Sequence, residues 1–308
     1  MGALSLSRLR RGLESPNLFL REANRLYHRR GYTRPYNTAG VDVFAEDWDN
    51  LIVLDACRYD MFADQSSLPG RLESRVSRGS NTVEFLAGNV AGRSLLDAVY
   101  VTANPQLRYH REAFEPELHA TIDVWEADGW DERYHTVLPE TMTERTKAAA
   151  EEFPDKRLVS HFIQPHYPFL TDEDVFENGR AFRDRDKVSC WQQVMTGELP
   201  VSPEAVWAAY RETLDRTLPA VAELLNALDG KTVVTADHGN MIGERARPVP
   251  VTEWGHPQGI YTEELVRVPW LVDDDDDRRE IVAEEPVAPE SEVDEGAVAD
   301  RLEQLGYT

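Results

Sequence analysis

The chain has 308 residues, of which 41% are apolar, so it can form one large α/β domain or two small ones with a sizeable core. Acidic side chains outnumber basic ones by 56 to 33, and this balance argues against nucleic-acid binding, because proteins of that class need a basic surface. The acidic, Lys-poor composition resembles that of proteins from salt-loving archaea, in which salt screens the mutual repulsion of surface charges.

Residues 1–40 are predicted to form a basic N-terminal helical segment. Its first 35 residues carry eight Arg and only Glu14 and Glu22 as acids. Two interpretations stay open: a surface helix packed on the body, or an amphipathic segment in peripheral contact with an anionic membrane. No apolar run approaches the roughly 18 residues that span a bilayer. We therefore expect a soluble, cytoplasmic protein, with peripheral membrane contact through residues 1–35 as the alternative.

Five short apolar runs have the length and composition of buried parallel strands. The last run contains Pro269, which cannot donate a ladder hydrogen bond and therefore predicts an edge position. The five runs cover residues 50–56, 98–103, 157–164, 231–236 and 266–272.

Helical patterns lie between these runs, at residues 143–153 and 203–228. The second pattern has Ser202 as its N-cap and Gly230 beyond its end, and Pro219 inside it predicts a kink or a split. Strands that alternate with helices predict an α/β fold with a mostly parallel central sheet, flanked by helices on both faces.

The same patterns divide the rest of the chain. The main domain is predicted to cover residues 41–272, with a charged insertion at residues 172–200 that lacks clear periodicity. Residues 273–294 begin with five consecutive Asp and contain two Pro, which predicts a flexible acidic linker. Residues 295–308 are predicted to form a C-terminal helix.

Three of the apolar runs end in side chains that bind metals or oxyanions. The first ends near Asp55, the third is followed by His166, and the fourth is followed by Asp237 and His238. Because open parallel sheets bind ligands outside the carboxyl ends of their strands, we expect these side chains to meet at one edge. Carboxylates together with imidazole suit a divalent cation such as zinc or manganese. His161, near the end of the third run, is interpreted as a strand-end residue that donates a hydrogen bond, with a role in the site as the alternative.

Thr82 is the candidate nucleophile. Asn81, followed by Glu84 three residues later, predicts a capping box, so a helix should begin near Thr82. A hydroxyl at a helix N-terminus faces free backbone amides and the positive end of the dipole, which together bind anions. Once deprotonated, Thr82 could attack phosphorus or sulfur and form a covalent intermediate. The alternative is that Ser80 or Thr82 only caps the helix.

Five sequence blocks together resemble the sulfatase-like branch of the alkaline phosphatase superfamily. They occur in that family's order, at residues 50–60, 80–85, 160–169, 235–244 and 255–272. The resemblance implies an alkaline-phosphatase-like fold and a metal-dependent enzyme that cleaves or transfers phosphate or sulfate esters. It also implies a role for each matching residue: Asp55, Asp237 and His238 as metal ligands, Thr82 as the metal-bound nucleophile, and His166 and His256 as contacts to the substrate's anionic group or to a second metal.

The chain departs from the sulfatase pattern in two respects. It lacks the Cys/Ser-x-Pro-x-Arg motif of sulfatases, so phosphate esters are favoured over sulfate esters, and a Thr nucleophile resembles the phosphodiesterases, phosphoglycerol transferases and lipoteichoic acid synthases of the superfamily. Ala56 follows Asp55 where sulfatases often have a second Asp, which indicates one firmly held metal ion. Nearby, Arg58 either contacts an oxyanion through its planar guanidinium or forms a local pair with Asp60.

Together these features predict a hydrolase or transferase of phosphate esters that acts through Thr82 on a small-molecule, glycan or lipid substrate. The expected cofactor is one divalent ion, with zinc, manganese, magnesium and calcium all open, and His166 and His256 could hold a second. Two rival hypotheses remain. One is a membrane-associated transferase of phosphoglycerol or sugar-phosphate groups, and the other is an inactive binding protein with the same fold.

Overall fold

A seven-stranded sheet forms the centre of the computed structural model, which describes residues 16–126, 128–172, 175–176, 189–274, 278–287 and 295–307. Two small two-stranded sheets accompany it. The strands of the central sheet are β1 (Asn50–Asp55), β2 (Arg71–Val76), β3 (Ser94–Thr102), β4 (Glu117–Asp123), β7 (Arg157–Pro165), β8 (Thr232–Ala236) and β11 (Arg267–Asp273). The small sheets pair β5 (Trp130–Asp131) with β6 (Thr136–Val137) and β9 (Met241–Arg245) with β10 (Thr252–Gly255).

Ten α-helices occur in the part of the chain that the structure describes. They are α1 (Pro16–His28), α2 (Tyr59–Gln65), α3 (Thr82–Asn89), α4 (Gln106–Tyr109), α5 (Arg111–Phe114), α6 (Pro139–Glu152), α7 (Cys190–Thr196), α8 (Pro203–Ala227), α9 (Glu263–Val266) and α10 (Glu295–Gln304). A 3₁₀ turn, Val43–Ala45, precedes β1. None of the described helices is long and apolar enough to cross a membrane.

The strands of the central sheet follow the order β2-β11-β8-β1-β7-β3-β4. From β8 to β4 all neighbours are parallel, whereas β11 runs antiparallel to both β8 and β2. The predicted mostly parallel sheet is therefore confirmed. Every residue of β1 and β8 is buried, as expected for central strands with both faces covered.

Alternate residues of β1 enter two separate apolar clusters, one on each face of the sheet. Ile52 and Leu54 belong to the larger cluster, with side chains of α6 and α8. Leu51 and Val53 belong to the smaller one, with side chains of α3. Because successive residues of a strand point to opposite faces, one strand supports both halves of the core. Helices thus cover both faces, as the sequence pattern predicted.

The structure contradicts the prediction for Pro269 and excludes one of the two alternatives for Pro219. Pro269 lies in β11, which pairs on both sides, so it is not in an edge strand. The ladder to β8 begins only at Trp270, and Pro269 therefore lies where its missing N–H costs no bond to that strand. The edge strands are β2 and β4, and the one next to β11 is β2, whose sequence RLESRV contains no apolar run. The long helix α8 continues unbroken through Pro219, so the predicted split does not occur.

Parts of four predicted segments lie outside the described residues: residues 1–15 of the N-terminal segment, 173–174 and 177–188 of the insertion, 275–277 and 288–294 of the linker, and Thr308 of the C-terminal helix. Within the linker, the N–H groups of Glu284 and Val287 donate to the carbonyls of Leu96 and His119 at 3.1 and 2.8 Å. Helix α10 then packs Val298 and Leu302 into the larger apolar cluster.

Polar side chains attach helix α1 to the body. Arg21 pairs with Glu253 at 2.7 Å, and the Glu253 side chain is fully buried. The Asn24 amide donates to the carbonyl of Val249 at 2.9 Å and accepts from its N–H at 2.8 Å. Burial raises the pKa of Glu253, and Arg21 offsets part of that rise. The position of α1 therefore depends on a buried charge pair.

Replacing Arg21 should show how strongly the buried Glu253 carboxylate destabilises the protein when it has no partner. We expect Arg21→Met to lower the free energy of unfolding by roughly 3 kcal/mol at pH 8, because Glu253 is left uncompensated. The loss should shrink as the pH falls, since the folded protein binds the Glu253 proton more tightly than the unfolded chain does. Urea denaturation at several pH values measures both effects.

The matched control is Arg216→Met, which breaks the exposed pair with Glu212. It should cost about 0.5 kcal/mol without this pH dependence. Equal losses in the two variants would contradict the importance of the buried pair.

Candidate active site

Two buried carboxylates lie side by side where two central strands end. Asp55 is the last residue of β1, and Asp237 directly follows the neighbouring strand β8. One oxygen of Asp237 accepts from the backbone N–H groups of Ala56 at 3.0 Å and His238 at 2.8 Å. Both carboxylates are fully buried. The local backbone thus fixes one oxygen of Asp237 and leaves the other directed into the site.

Two histidines complete this cluster. The Nε2 atom of His238 lies 3.4 Å from one oxygen of Asp55 and 3.4 Å from one oxygen of Asp237. Its Nδ1 is 2.7 Å from the carbonyl of Gly239, and a carbonyl can only accept, so Nε2 carries a free lone pair. His161 Nε2 is 3.7 Å from Asp237, while its Nδ1 contacts the Tyr100 hydroxyl at 2.8 Å. With the proton on Nδ1, this imidazole also presents a lone pair.

The donor set fits a divalent cation. One oxygen of Asp55, one oxygen of Asp237 and the Nε2 of His161 are buried without hydrogen-bond partners. Each of these three residues offers one ligand atom that lies within 4.8 Å of the other two. No Lys or Arg pairs with either carboxylate in the described part of the chain. Burying two adjacent ionised carboxylates without a counter-charge lowers the stability of the folded protein. Oxygen and imidazole ligands of this kind suit zinc or manganese.

The pKa values of the two carboxylates move in opposite directions. Burial and the neighbouring Asp237 raise the pKa of Asp55 well above its usual range. Burial opposes ionisation of Asp237 as well, but His238, His161 and the N–H of Ala56 hold its pKa below the usual range. A bound cation would favour the charged form of both groups.

Thr82 directs its hydroxyl into the same cluster. It is the first residue of α3, as predicted, and Asn81 is the N-cap, accepting from the N–H of Glu84 at 2.9 Å. In a capping box the Glu84 carboxylate would accept from the N–H of Asn81, but here it accepts from the N–H and hydroxyl of Ser80. Because these residues satisfy the cap, Thr82 Oγ1 is free to lie 3.3 Å from Asp55 and 3.4 Å from the Nε2 of His238.

His166 and His256 form a pair at the side of this cluster. Their Nε2 atoms are 3.4 Å apart, and the rings of His256 and His238 are 4.8 Å apart. The Nδ1 of His166 donates to the carbonyl of Tyr167, and that of His256 lies 3.4 Å from the amide oxygen of Asn240. Burial lowers the pKa of His166 to about 4 and that of His256 well below its usual value. Two neutral rings therefore point lone pairs at each other, an arrangement that suits a shared cation or a hydroxyl between them.

Two further side chains contact the cluster and were not expected from the sequence. The Tyr307 hydroxyl donates to Asp55 at 2.9 Å and lies 3.3 Å from Thr82 Oγ1. Its ring stacks on His166 at 5.0 Å, nearly parallel. Asn104, just after β3, donates to Asp55 at 2.7 Å and to the Tyr307 hydroxyl at 3.0 Å. Residues at the C-terminus thus reach the candidate nucleophile.

Arg58 directs its guanidinium toward protein partners. It donates to Asp60 at 2.6 and 2.9 Å, pairs with Glu244, and donates to the carbonyl of Asn240 at 3.2 Å. The guanidinium also lies over the ring of Trp207, 4.7 Å from its centroid. This geometry matches the local pair that was one of the two interpretations of Arg58.

The structure thus brings the four predicted side chains of the reaction centre, Asp55, Thr82, Asp237 and His238, into one cluster. It adds His161, which lies within β7 rather than at its end. One signal for His161 existed in the sequence, because an imidazole inside an apolar strand must be buried and needs partners. The sequence contains no comparable signal for Asn104.

Comparison with known protein families finds no family model that matches the chain. One curated relative is the low-salt glycan biosynthesis sulfotransferase Agl7 of Haloferax volcanii, with 24% identity over 239 residues. The alignment covers 71% of this chain and 52% of that protein. The chain therefore spans about half the length of the curated relative it matches.

Several solved structures are similar to the chain at low identity. The C-terminal periplasmic domain of EcEptC from Escherichia coli, in complex with Zn, has 12% identity and a TM-score of 0.49, and the match covers 77% of this chain and 76% of that one. The lipooligosaccharide phosphoethanolamine transferase A of Neisseria meningitidis has 13% identity and a TM-score of 0.43, with 72% and 47% covered. A protein of Vibrio parahaemolyticus has 10% identity and a TM-score of 0.40, with 92% and 75% covered. That protein is described as a member of the superfamily that the sequence blocks resemble.

A divalent cation should stabilise the folded protein. We expect zinc or manganese to raise the midpoint of thermal unfolding, because the ion neutralises Asp55 and Asp237 in the folded state. At about 100 times its Kd, such an ion contributes about 2.7 kcal/mol. Calorimetry of chelator-treated protein with and without each metal measures the shift.

Asp237→Asn should lose most of this response, whereas the control Asp215→Asn, which changes an exposed carboxylate on α8, should keep it. A shift of equal size in Asp237→Asn would place the cation elsewhere.

Tyr307→Phe isolates the contribution of the phenol hydroxyl. The ring should keep its stacking on His166, while Asp55 loses one donor. We expect roughly tenfold weaker metal affinity, because outer hydrogen bonds orient a ligating carboxylate. Titration calorimetry of the apoprotein provides this value, with the exposed Tyr109→Phe as control. Unchanged affinity would show that the hydroxyl does not orient Asp55.

Proposed function

We propose that the chain is an enzyme that hydrolyses or transfers a phosphate ester, with sulfate esters less favoured, and that it needs a divalent metal ion. The observation that carries the proposal is the Thr82 hydroxyl, which lies 3.3 Å from a buried carboxylate whose other oxygen has no partner. A hydroxyl used only as a helix cap would bond to backbone amides. Here Asn81 performs that task, and Thr82 is available for chemistry.

In this proposal Asp55, Asp237, His238 and Thr82 hold the ion, and His161 is a further ligand. When bound, the ion would neutralise the carboxylates, lower the pKa of the threonine hydroxyl and polarise an ester oxygen. Imidazole ligands favour zinc or manganese over magnesium or calcium, which prefer oxygen ligands.

Thr82 acts as the nucleophile in the proposed reaction. Its proton passes to the Asp55 oxygen that accepts from Thr82 Oγ1 at 3.3 Å, since the Nε2 of His238 holds the ion in this proposal. A bond forms between Thr82 Oγ1 and phosphorus while the ester P–O bond breaks, and the alcohol leaves with a proton. Water then breaks the Thr82–phosphorus bond in hydrolysis, whereas an acceptor hydroxyl breaks it in transfer.

His166 and His256 would contact the substrate or a second cation. With Nδ1 protonated in both, their Nε2 atoms only accept hydrogen bonds. They therefore suit a substrate hydroxyl or a cation better than an unprotonated phosphoryl oxygen. Arg58 donates its hydrogen bonds to Asp60 and Asn240, so in this proposal it stabilises the structure and does not contact the substrate.

A second candidate function is group transfer onto a glycan or lipid acceptor at a membrane. The relative from Haloferax volcanii is named as a glycan biosynthesis sulfotransferase, which favours transfer over hydrolysis and keeps sulfate esters as substrates to test. Transfer requires an acceptor hydroxyl where hydrolysis requires water, so adding glycan or glycerol acceptors separates the two. The cytoplasmic location expected from the sequence stays a prediction.

The test compares aryl phosphate monoester, phosphate diester and sulfate ester substrates, each with several metals at high salt. We expect the metal-loaded protein to cleave a phosphate ester and Thr82→Ala to lose roughly a thousandfold in kcat/KM. Thr82→Ser should keep measurable turnover, and acid quenching should trap a modified Thr82 peptide that mass spectrometry detects.

Thr252→Ala, at an exposed position of β10, serves as the matched control and should leave turnover unchanged. Full metal-dependent turnover by Thr82→Ala would remove Thr82 from the mechanism. Failure of the unmodified protein to bind any metal or to cleave any substrate would favour the binding-protein hypothesis.

A further inference from the structure

Helix α1 has its polar side turned inward and its apolar side turned outward. Arg21, Asn24 and His28 contact the body of the protein. The outward positions 19, 20, 23, 26 and 27 are Phe, Leu, Ala, Leu and Tyr, which follow the spacing of one helix face. A helix on the surface of a protein in water has the opposite arrangement. An apolar environment outside the protein would therefore suit this helix.

The exposed apolar side chains are concentrated in this segment. Nine large apolar residues are exposed among the described residues, and five of them lie within 14 positions. Single exposed apolar residues are normal, but a contiguous patch marks an interaction surface. The five are 40–58% exposed and comprise Phe19, Leu20, Leu26, Tyr27 and Tyr32.

Basic residues without acidic partners adjoin the patch. Arg29, Arg30 and Arg34 follow α1, and none of them forms an ion pair in the part of the chain that the structure describes. Residues 1–35 carry eight basic and two acidic side chains, whereas the remaining residues carry 25 basic and 54 acidic ones. The apolar stripe thus lies in the basic segment of a strongly acidic protein.

We infer that α1 docks flat on an anionic lipid bilayer. Phe19, Leu20, Leu26 and Tyr27 enter the boundary between headgroups and acyl chains, and the arginines near the end of the helix contact lipid phosphates. The acidic body is repelled by the same surface, so the protein adopts one orientation, with α1 facing the lipid.

A lipid surface suits this segment better than the two other possible occupants. A second copy of the chain would cover the apolar stripe but would place two basic segments against each other. Residues 1–15 would add three Arg and one Glu, which again brings like charges together. An anionic bilayer is complementary to both the apolar stripe and the arginines.

The helix is also joined to the segment that carries His256. Arg25 donates to the carbonyl of Gln258 at 2.8 Å, and Arg21 pairs with Glu253. The docked helix would therefore hold residues 253–259 near the bilayer. This inference does not depend on the proposed chemistry, since lipid binding and catalysis are measured separately.

Co-sedimentation of the full chain with vesicles tests the inference. Vesicles of phosphatidylglycerol and phosphatidylcholine should bind the protein, and vesicles of phosphatidylcholine alone should bind it less. The variant F19S/L26S/Y27S should bind at least roughly tenfold more weakly, because it removes the apolar contact. The control Y109S/V282S, which changes exposed apolar residues elsewhere, should bind normally. R29Q/R30Q/R34Q should weaken binding at about 0.1 M salt and much less at about 1 M.

A labelling experiment identifies what covers the helix. In Tyr27→Cys the new thiol should react quickly in free protein and slowly with anionic vesicles, while the two native cysteines are buried. Three outcomes would overturn the inference: no vesicle binding, equal binding by F19S/L26S/Y27S, or protection of the introduced thiol in the absence of lipid. Protection that depends on protein concentration would identify a second copy, and protection that does not would identify residues 1–15.

Discussion

The site depends on the cost of two negative charges in the interior of the protein. Asp55 and Asp237 are fully buried, and one oxygen of each has no hydrogen-bond donor. Inside a protein, like charges at such separations repel strongly and lack the hydration that would offset the repulsion. His238 and His161 lower the pKa of Asp237, but burial and the neighbouring Asp237 raise the pKa of Asp55, so the surrounding residues offset the cost at only one of the two carboxylates. A bound divalent cation would stabilise this set of donor atoms in the folded protein.

The main features of the fold and part of the site follow from local sequence. Strands buried on both faces must be short apolar runs, and ligands gather where parallel strands end, so Asp55 and Asp237 could be placed before the structure was known. Thr82 followed from helix capping, which is also a local property. The sequence pattern does not predict strand β2, because an edge strand needs no apolar run. Its partner β11 lies far away in the sequence, so local sequence does not indicate the pairing either.

The remaining site residues depend on contacts that no local pattern contains. His161 pairs with Val53, two residues before Asp55, so the pairing of β1 with β7 brings it to the cluster. Tyr307 is separated from Asp55 by more than 250 positions, and only the packing of α10 brings it there. Side chains of this kind are specified by tertiary structure, and chain order alone does not predict them.

The two unusual features of the molecule are connected through one segment. Residues 253–259 contain Glu253, which anchors α1, and His256, which faces the site. The N–H of Gly259 also donates to the hydroxyl of Ser80, next to the start of α3. A buried ion pair holds one end of this segment and a hydrogen bond holds the other, so α1 and the residue before the N-cap of α3 contact the same stretch of chain. Docking of α1 on a surface would therefore also fix the position of the loop that carries His256 relative to that surface.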